Sequence, residues 1–123
     1  MGIKSHEDLI VWQRAVELTV LVQRLVLRLP PTEKYELASQ LRRASTSIPL
    51  NIAEGSARPT RAYINHLSIA LGSEAELKTQ LKIAVRKGYA AQEDIVPMLS
   101  MASEIGRMLN GLIKSLRRRL EAY

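Results

Sequence analysis

Apolar residues recur at every third or fourth position through four long stretches of this 123-residue chain, and no stretch sustains a two-residue alternation. That period argues against strands and for amphipathic helices, each with one stripe to bury. The breaks between stretches fall at Pro30–Pro31, Arg58–Pro59 and Gly88–Tyr89. Proline cannot donate inside a helix, and glycine readily takes the left-handed conformation that ends one. The predicted helices span about 8–29, 33–57, 61–87 and 94–119, with Thr32, Thr60 and Asp94 as N-caps and Ser5 just ahead of the first. Connections this short force neighbours to run antiparallel. The expected fold is all-α, an up-down-up-down antiparallel four-helix bundle in a single domain, 1–123.

The core stripes read directly from the spacing. They are Val11, Ala15, Leu18, Val22, Leu25 and Leu29; Leu37, Leu41, Ala44, Ile48 and Ile52; Tyr63, Leu67, Ala70, Leu77, Leu81 and Ala84; and Ile95, Leu99, Ala102, Leu109, Ile113, Leu116 and Leu120. Glu74 interrupts the third stripe. Pro49 sits inside the second helix, where a kink is expected and the Ser45 carbonyl loses its helical donor. A nearby amide or hydroxyl is expected to satisfy that carbonyl, and Ser47 and Asn51 flank the proline. Val20, Leu21 and Leu27, with a second stripe of Met98, Met101, Ile105, Met108 and Leu112, exceed what one core requires. They are the expected self-association surface of a homo-oligomer.

Composition narrows the function. Eighteen Lys and Arg against twelve Asp and Glu give a formal charge of +6 and a pI near 10.0. With no Cys, disulfides and Cys-ligated metal sites are excluded. The longest stretch free of charged residues, Ala62 to Ser73, is too short to cross a membrane. The N-terminus does not match a signal peptide, so a soluble cytoplasmic protein without membrane contact is expected. The only histidines are His6 and His66, and no zinc-protease, P-loop, dinucleotide or di-iron motif occurs. No enzyme activity, catalytic residue, metal or cofactor is expected. The enzymatic alternative requires a cavity around Asn51, Glu54 and Glu76.

Two sets of residues are candidates for function. Gln40, Arg43, Ser47, Asn51 and Glu54 share one face of the second helix. They are either a ligand line or, as favoured here, a structural or interfacial hydrogen-bond network. In that network Glu54 is expected to pair with Arg42, Arg43 or an arginine of a neighbouring subunit. Gly72 and Ser73 lie mid-helix, where glycine is costly unless another helix approaches closely, and Glu76 is one turn on and placed to bond across that contact. The second set is basic: Arg58 and Arg61 flank one turn, Arg86 and Lys87 end the third helix, and Lys114, Arg117, Arg118 and Arg119 end the fourth. These eight are the candidate phosphate contacts. Tyr89 and Tyr123, near basic groups, are candidates to stack on bases.

Three strings carry a resemblance. They are Ser39-Gln-Leu-Arg-Arg-Ala-Ser-Thr-Ser-Ile-Pro-Leu-Asn-Ile-Ala-Glu-Gly55, Ile69-Ala-Leu-Gly-Ser-Glu-Ala-Glu-Leu-Lys-Thr-Gln-Leu81 followed by Gly88-Tyr89, and Glu7-Asp8-Leu9-Ile10-Val11-Trp12-Gln13. Together they resemble the bacterial four-helix-bundle family first noticed as open reading frames within intervening sequences of 23S ribosomal RNA genes. The resemblance implies the bundle and a homopentamer, a ring with a central channel. The family is in turn similar to the accessory variability protein of diversity-generating retroelements, a basic pentamer that binds nucleic acid and a reverse transcriptase. Members are sometimes labelled ribosomal proteins, but the resemblance does not imply a place in the ribosome. Five copies would carry a charge of about +30, a field that attracts polyanions. The expected function is a basic oligomeric module that binds RNA or DNA, as an accessory to a nucleic-acid enzyme. The alternative is a scaffold for a protein partner, docked on the apolar helix faces.

Overall fold

The buried stripes decide where each helix begins and ends. The computed structural model describes residues 5–33 and 35–122. Its helices are α1 Ile10–Val26, α2 Leu37–Ser56, α3 Thr60–Arg86 and α4 Gln92–Glu121, with no strand among the described residues. Each helix packs on the next, and α1 closes against α4. Cross-helix bonds fix the antiparallel register: Asn51 meets His66 while Ser47 meets Ser73, and Arg14 meets Glu104 while Arg28 meets Asp94. Nearly every predicted stripe residue is buried; Tyr63, Leu99 and Leu120 are partly so.

All four helix starts differ from the sequence reading, each for a local reason. Residues 31–33 form a short 3₁₀ turn and α2 starts at Leu37, so Thr32 is not its cap. The described side chains between the prolines and Leu37 are exposed (Tyr35 at 92%), and a helical turn without packing is marginal. Thr60 is the first residue of α3, and the N-cap is Pro59, which has no side-chain acceptor. At α4 the helix starts at Gln92, and its N-cap is Ala91, three residues ahead of the predicted Asp94 cap. Asp94 instead accepts a hydrogen bond from the Ala91 N–H at 3.0 Å, the return half of a capping box, since Ala91 has no acceptor to complete it. At the first helix, Ser5 caps a 3₁₀ turn, His6–Asp8, rather than α1 itself. The C-terminus of α3 ends as predicted. Gly88 takes φ +80°, its N–H donates to the Val85 carbonyl, and the Tyr89 N–H donates to the Ala84 carbonyl. That pair of bonds is the Schellman motif.

Asp94 also pairs with Arg28 at 3.1 Å, which ties the end of α1 to the start of α4. The Ala91 N–H and then the Arg28 guanidinium hold its carboxyl below the ordinary carboxylate range. A depressed folded-state pKa stabilises the fold above the unfolded value, and the effect is lost as pH falls through the folded one. Wild type is therefore expected to exceed Asp94→Asn in stability at neutral pH, with the difference vanishing in acid. Denaturant midpoints across pH measure this, and equal midpoints at neutral pH would remove the contribution.

Pro49 lies within α2 and is buried. The Ser45 carbonyl it orphans is reached from another helix: the Thr19 hydroxyl of α1 lies 3.1 Å from it and 3.0 Å from the Ala15 carbonyl. The donor is thus neither Ser47 nor Asn51. The Asn51 amide instead donates to the Ser47 carbonyl at 2.9 Å and to the Ser47 hydroxyl at 3.0 Å. Thr19→Val is expected to cost about 1 kcal/mol by leaving a buried acceptor unmet. The cost should shrink in a Pro49→Ala background, where the restored amide at position 49 can serve Ser45. Chemical denaturation of the four proteins of this cycle measures the coupling.

Candidate nucleic-acid interface

The polar face of α2 splits between interior and surface. Ser47 and Asn51 are half-buried and join α3 through a continuous chain of bonds. The Ser73 hydroxyl donates to the Ser47 hydroxyl at 2.8 Å, and Asn51 Oδ1 lies 3.0 Å from His66 Nδ1. Because the Asn51 amide nitrogen faces a carbonyl, its oxygen must face His66, so Nδ1 carries the proton in this pair. Of the residues expected to form a network, Ser47, Asn51 and Ser73 are joined in this chain of bonds, and His66 is a partner that spacing did not reveal. Arg42, Arg43 and Glu54 lie outside it, exposed on the surface, and Gln40 is half-buried near the start of α2. Glu54 pairs loosely with Arg58 at 3.7 Å, not with Arg42 or Arg43, because residues four apart share a helix face.

The close approach expected at Gly72 occurs elsewhere. Gly72 is exposed and a Cβ there would meet nothing within 4 Å, and Glu76 is exposed and bonds to no described residue across a contact. The tight crossings are at Gly55, where a Cβ would stand 2.7 Å from His66 Cβ and 2.8 Å from Tyr63 Cδ1, and at Gly106, where it would stand 2.8 Å from Glu74 Oε1. Glu74, read from sequence only as a gap in a stripe, is buried against α4 with Lys78 Nζ 3.0 Å from its Oε2. Asn51, Glu54 and Glu76 do not converge on a common cavity: the first is held by Ser47 and His66, and the other two face outward.

The eight basic candidates are all exposed, but they divide between the two ends of the bundle. The α2–α3 turn and the C-terminus of α4 share one end, called here the terminal end. Arg58, Arg61, Lys114, Arg117, Arg118 and Arg119 belong to it. Arg86 and Lys87 lie at the opposite end, on the rim of a shallow groove with Lys82 and Ile83. At the terminal end, Arg61 and Arg117 face one groove of about 440 Å³ floored by Ile64 and Leu120, with Glu121 on its edge. Beside it lies a deeper pocket of about 590 Å³ walled by His6, Leu9, Ser56, Tyr63, Leu112 and Arg119. Arg61, Arg117, Arg118 and Arg119 make no ion pair with a described residue; the cross-helix ion pairs use Arg14 and Arg28 instead. Tyr89 packs against the core, and Tyr123 lies outside the described residues.

The Met-rich stripe of α4 does not stay wet. Met98 and Ile105 are buried, and Met101, Met108 and Leu112 pack against the core. Exposed apolar side chains lie instead at Val20 and Leu27 of the first segment and at Leu50, Ile69, Ile83 and Val96. Leu21 is partly buried. No helix among the described residues is long and apolar enough to cross a membrane.

A closed bundle of four antiparallel helices with a basic end defines the class, small helical-bundle proteins. The sequence profile described as 23S rRNA-intervening sequence protein matches residues 7–111, and the chain belongs to that family. Among solved structures it is similar to a protein of unknown function from the S23 ribosomal protein family of Bacteroides thetaiotaomicron. The TM-score is 0.79 at 28% identity, covering 85% of this chain and 96% of that one. No functionally curated protein matches it.

Proposed function

We propose that the protein is a non-enzymatic, self-associating bundle that binds RNA or DNA phosphates with its terminal end, as an accessory to a nucleic-acid enzyme. The observation that carries this reading is the gathering of Arg61, Arg117 and Arg119, free of ion pairs to described residues, around two grooves, with Arg118 exposed on the same helix end. Guanidinium groups not already neutralised by carboxylates can release phosphate counterions, which is the main source of such affinity. Self-association as a ring, a pentamer by the resemblance, would repeat the basic end around an axis. The exposed Leu50 and Ile69 support a contact between copies, since the Ser73–Ser47 bond sets them level on the antiparallel α2–α3 pair. The same apolar pair is what favours the second reading, a scaffold for a protein partner. A nucleic-acid role requires a compartment that holds nucleic acid, which in a bacterium is the cytoplasm.

The two ends of the bundle provide an internal control. Replacing Arg61, Arg117 and Arg118 together by Gln is expected to weaken binding by about tenfold or more and to flatten the log–log salt slope. Replacing Arg86 and Lys87 should change either quantity far less. Equal losses from the two sets, measured by fluorescence anisotropy, would show attraction by net charge without a defined face.

A further inference from the structure

We propose that the deeper pocket at the terminal end is a nucleotide subsite that takes one unstacked base with its phosphate, so that the protein prefers single-stranded or looped nucleic acid to duplex. This inference rests on the phosphate-binding reading above and specifies the ligand of the same end. The pocket, about 590 Å³, has the size of a small-ligand site. Leu9, Leu112 and Leu116 supply an apolar floor beneath a larger share of polar lining, and among the described residues no carboxylate lines it. A site meant only for the sugar–phosphate backbone needs no such floor, because the backbone is charged and stays in solvent. A base presents an apolar face and a polar edge, and this lining offers both.

The polar groups are placed for that edge. Tyr63 is half-buried and its hydroxyl makes no hydrogen bond with a described residue. Burial pushes its pKa up, so it remains a protonated donor at neutral pH. The Ser56 hydroxyl donates to the Ala53 carbonyl at 2.7 Å, which leaves its lone pairs to accept from a ligand. Arg119 stands at the wall without an ion pair to a described residue, where it can take the phosphate. The neighbouring groove with Arg61 and Arg117 continues the positive surface for the adjoining nucleotides. A base held in a duplex cannot enter the pocket without being unpaired, and that cost separates the two kinds of strand.

The molecule carries its own reporter. Trp12 is the only tryptophan, and the His6 ring that lines the pocket packs edge-on against it, with centroids 5.2 Å apart and planes at 69°. The test compares a single strand and a duplex of equal phosphate number by anisotropy, while Trp12 emission is followed. The single strand is expected to bind about tenfold more tightly and to change the Trp12 emission, which the duplex leaves unchanged. Ser56→Phe, which fills the pocket from its wall, should abolish the preference while duplex affinity holds. Arg119→Gln, a surface change that leaves packing intact, should reduce single-strand binding more than duplex binding. Equal wild-type affinities, or a preference that survives both variants, would overturn the subsite and leave the phosphate-binding reading standing. Failure of both strands to bind would overturn that reading as well.

Discussion

Gly55→Ala is expected to destabilise the protein by about 2 kcal/mol, whereas Gly72→Ala is expected to stabilise it by up to about 1 kcal/mol. Both glycines lie within helices, Gly72 in the middle of α3 and Gly55 in the last turn of α2, so alanine gains helix propensity at each and more at Gly72. The larger difference is the space. A Cβ at Gly72 meets nothing within 4 Å, so the propensity gain stands alone. At Gly55 the added carbon would stand 2.7 Å from His66 Cβ, an atom anchored directly to the α3 backbone, and 2.8 Å from the Tyr63 ring. Neither is the free end of a flexible chain, so α2 and α3 would have to separate. Separation would also strain the Asn51–His66 and Ser47–Ser73 bonds between the same helices. Thermal or denaturant unfolding decides it, and two changes of the same sign would show that the α2–α3 crossing is looser than described.

Lys78→Met is expected to cost about 2 kcal/mol, and Glu74→Leu with Lys78→Met to recover most of that loss. Glu74 is buried among apolar neighbours and lies against Gly106, with Lys78 Nζ at 3.0 Å as the counter-charge. Removing the lysine leaves a carboxylate that water cannot readily reach, and the penalty belongs to that stranded charge. The expected figure lies below that for fully buried pairs because the Lys78 side chain is 33% exposed. Removing both charges continues the stripe of Leu67, Ala70, Leu77 and Leu81 across the gap. A double variant no more stable than the single would show that Glu74 contributes through contacts other than this pair.

The order and direction of the helices were legible because burial follows spacing, and spacing is a property of the sequence. Leu18, Leu41, Leu67 and Leu109 each lie in the stripe that predicts them. Helix starts were less legible, since Thr32 looks like a cap whether or not the residues after it touch a core. The helix crossings were not legible at all. Gly55 and Gly72 both lie within helices, and only the distance to His66 and Tyr63 tells the close approach from the open one. Thr19 was invisible for the same reason: its value lies in a carbonyl 26 positions away that Pro49 leaves unbonded. The basic residues were easy to enumerate, but their division between opposite ends follows from the antiparallel connectivity. It separates Arg86 and Lys87 from the arginines of α4.

The claim that most needs a direct test is that the terminal end binds nucleic-acid phosphates. Fluorescence anisotropy with structured RNA, duplex DNA and single-stranded DNA across a salt series measures it. Micromolar or tighter binding is expected, with log affinity falling steeply and linearly against log salt concentration. No binding to any of the three at about 50 mM salt would contradict it, because a phosphate-contacting surface binds most tightly under those conditions.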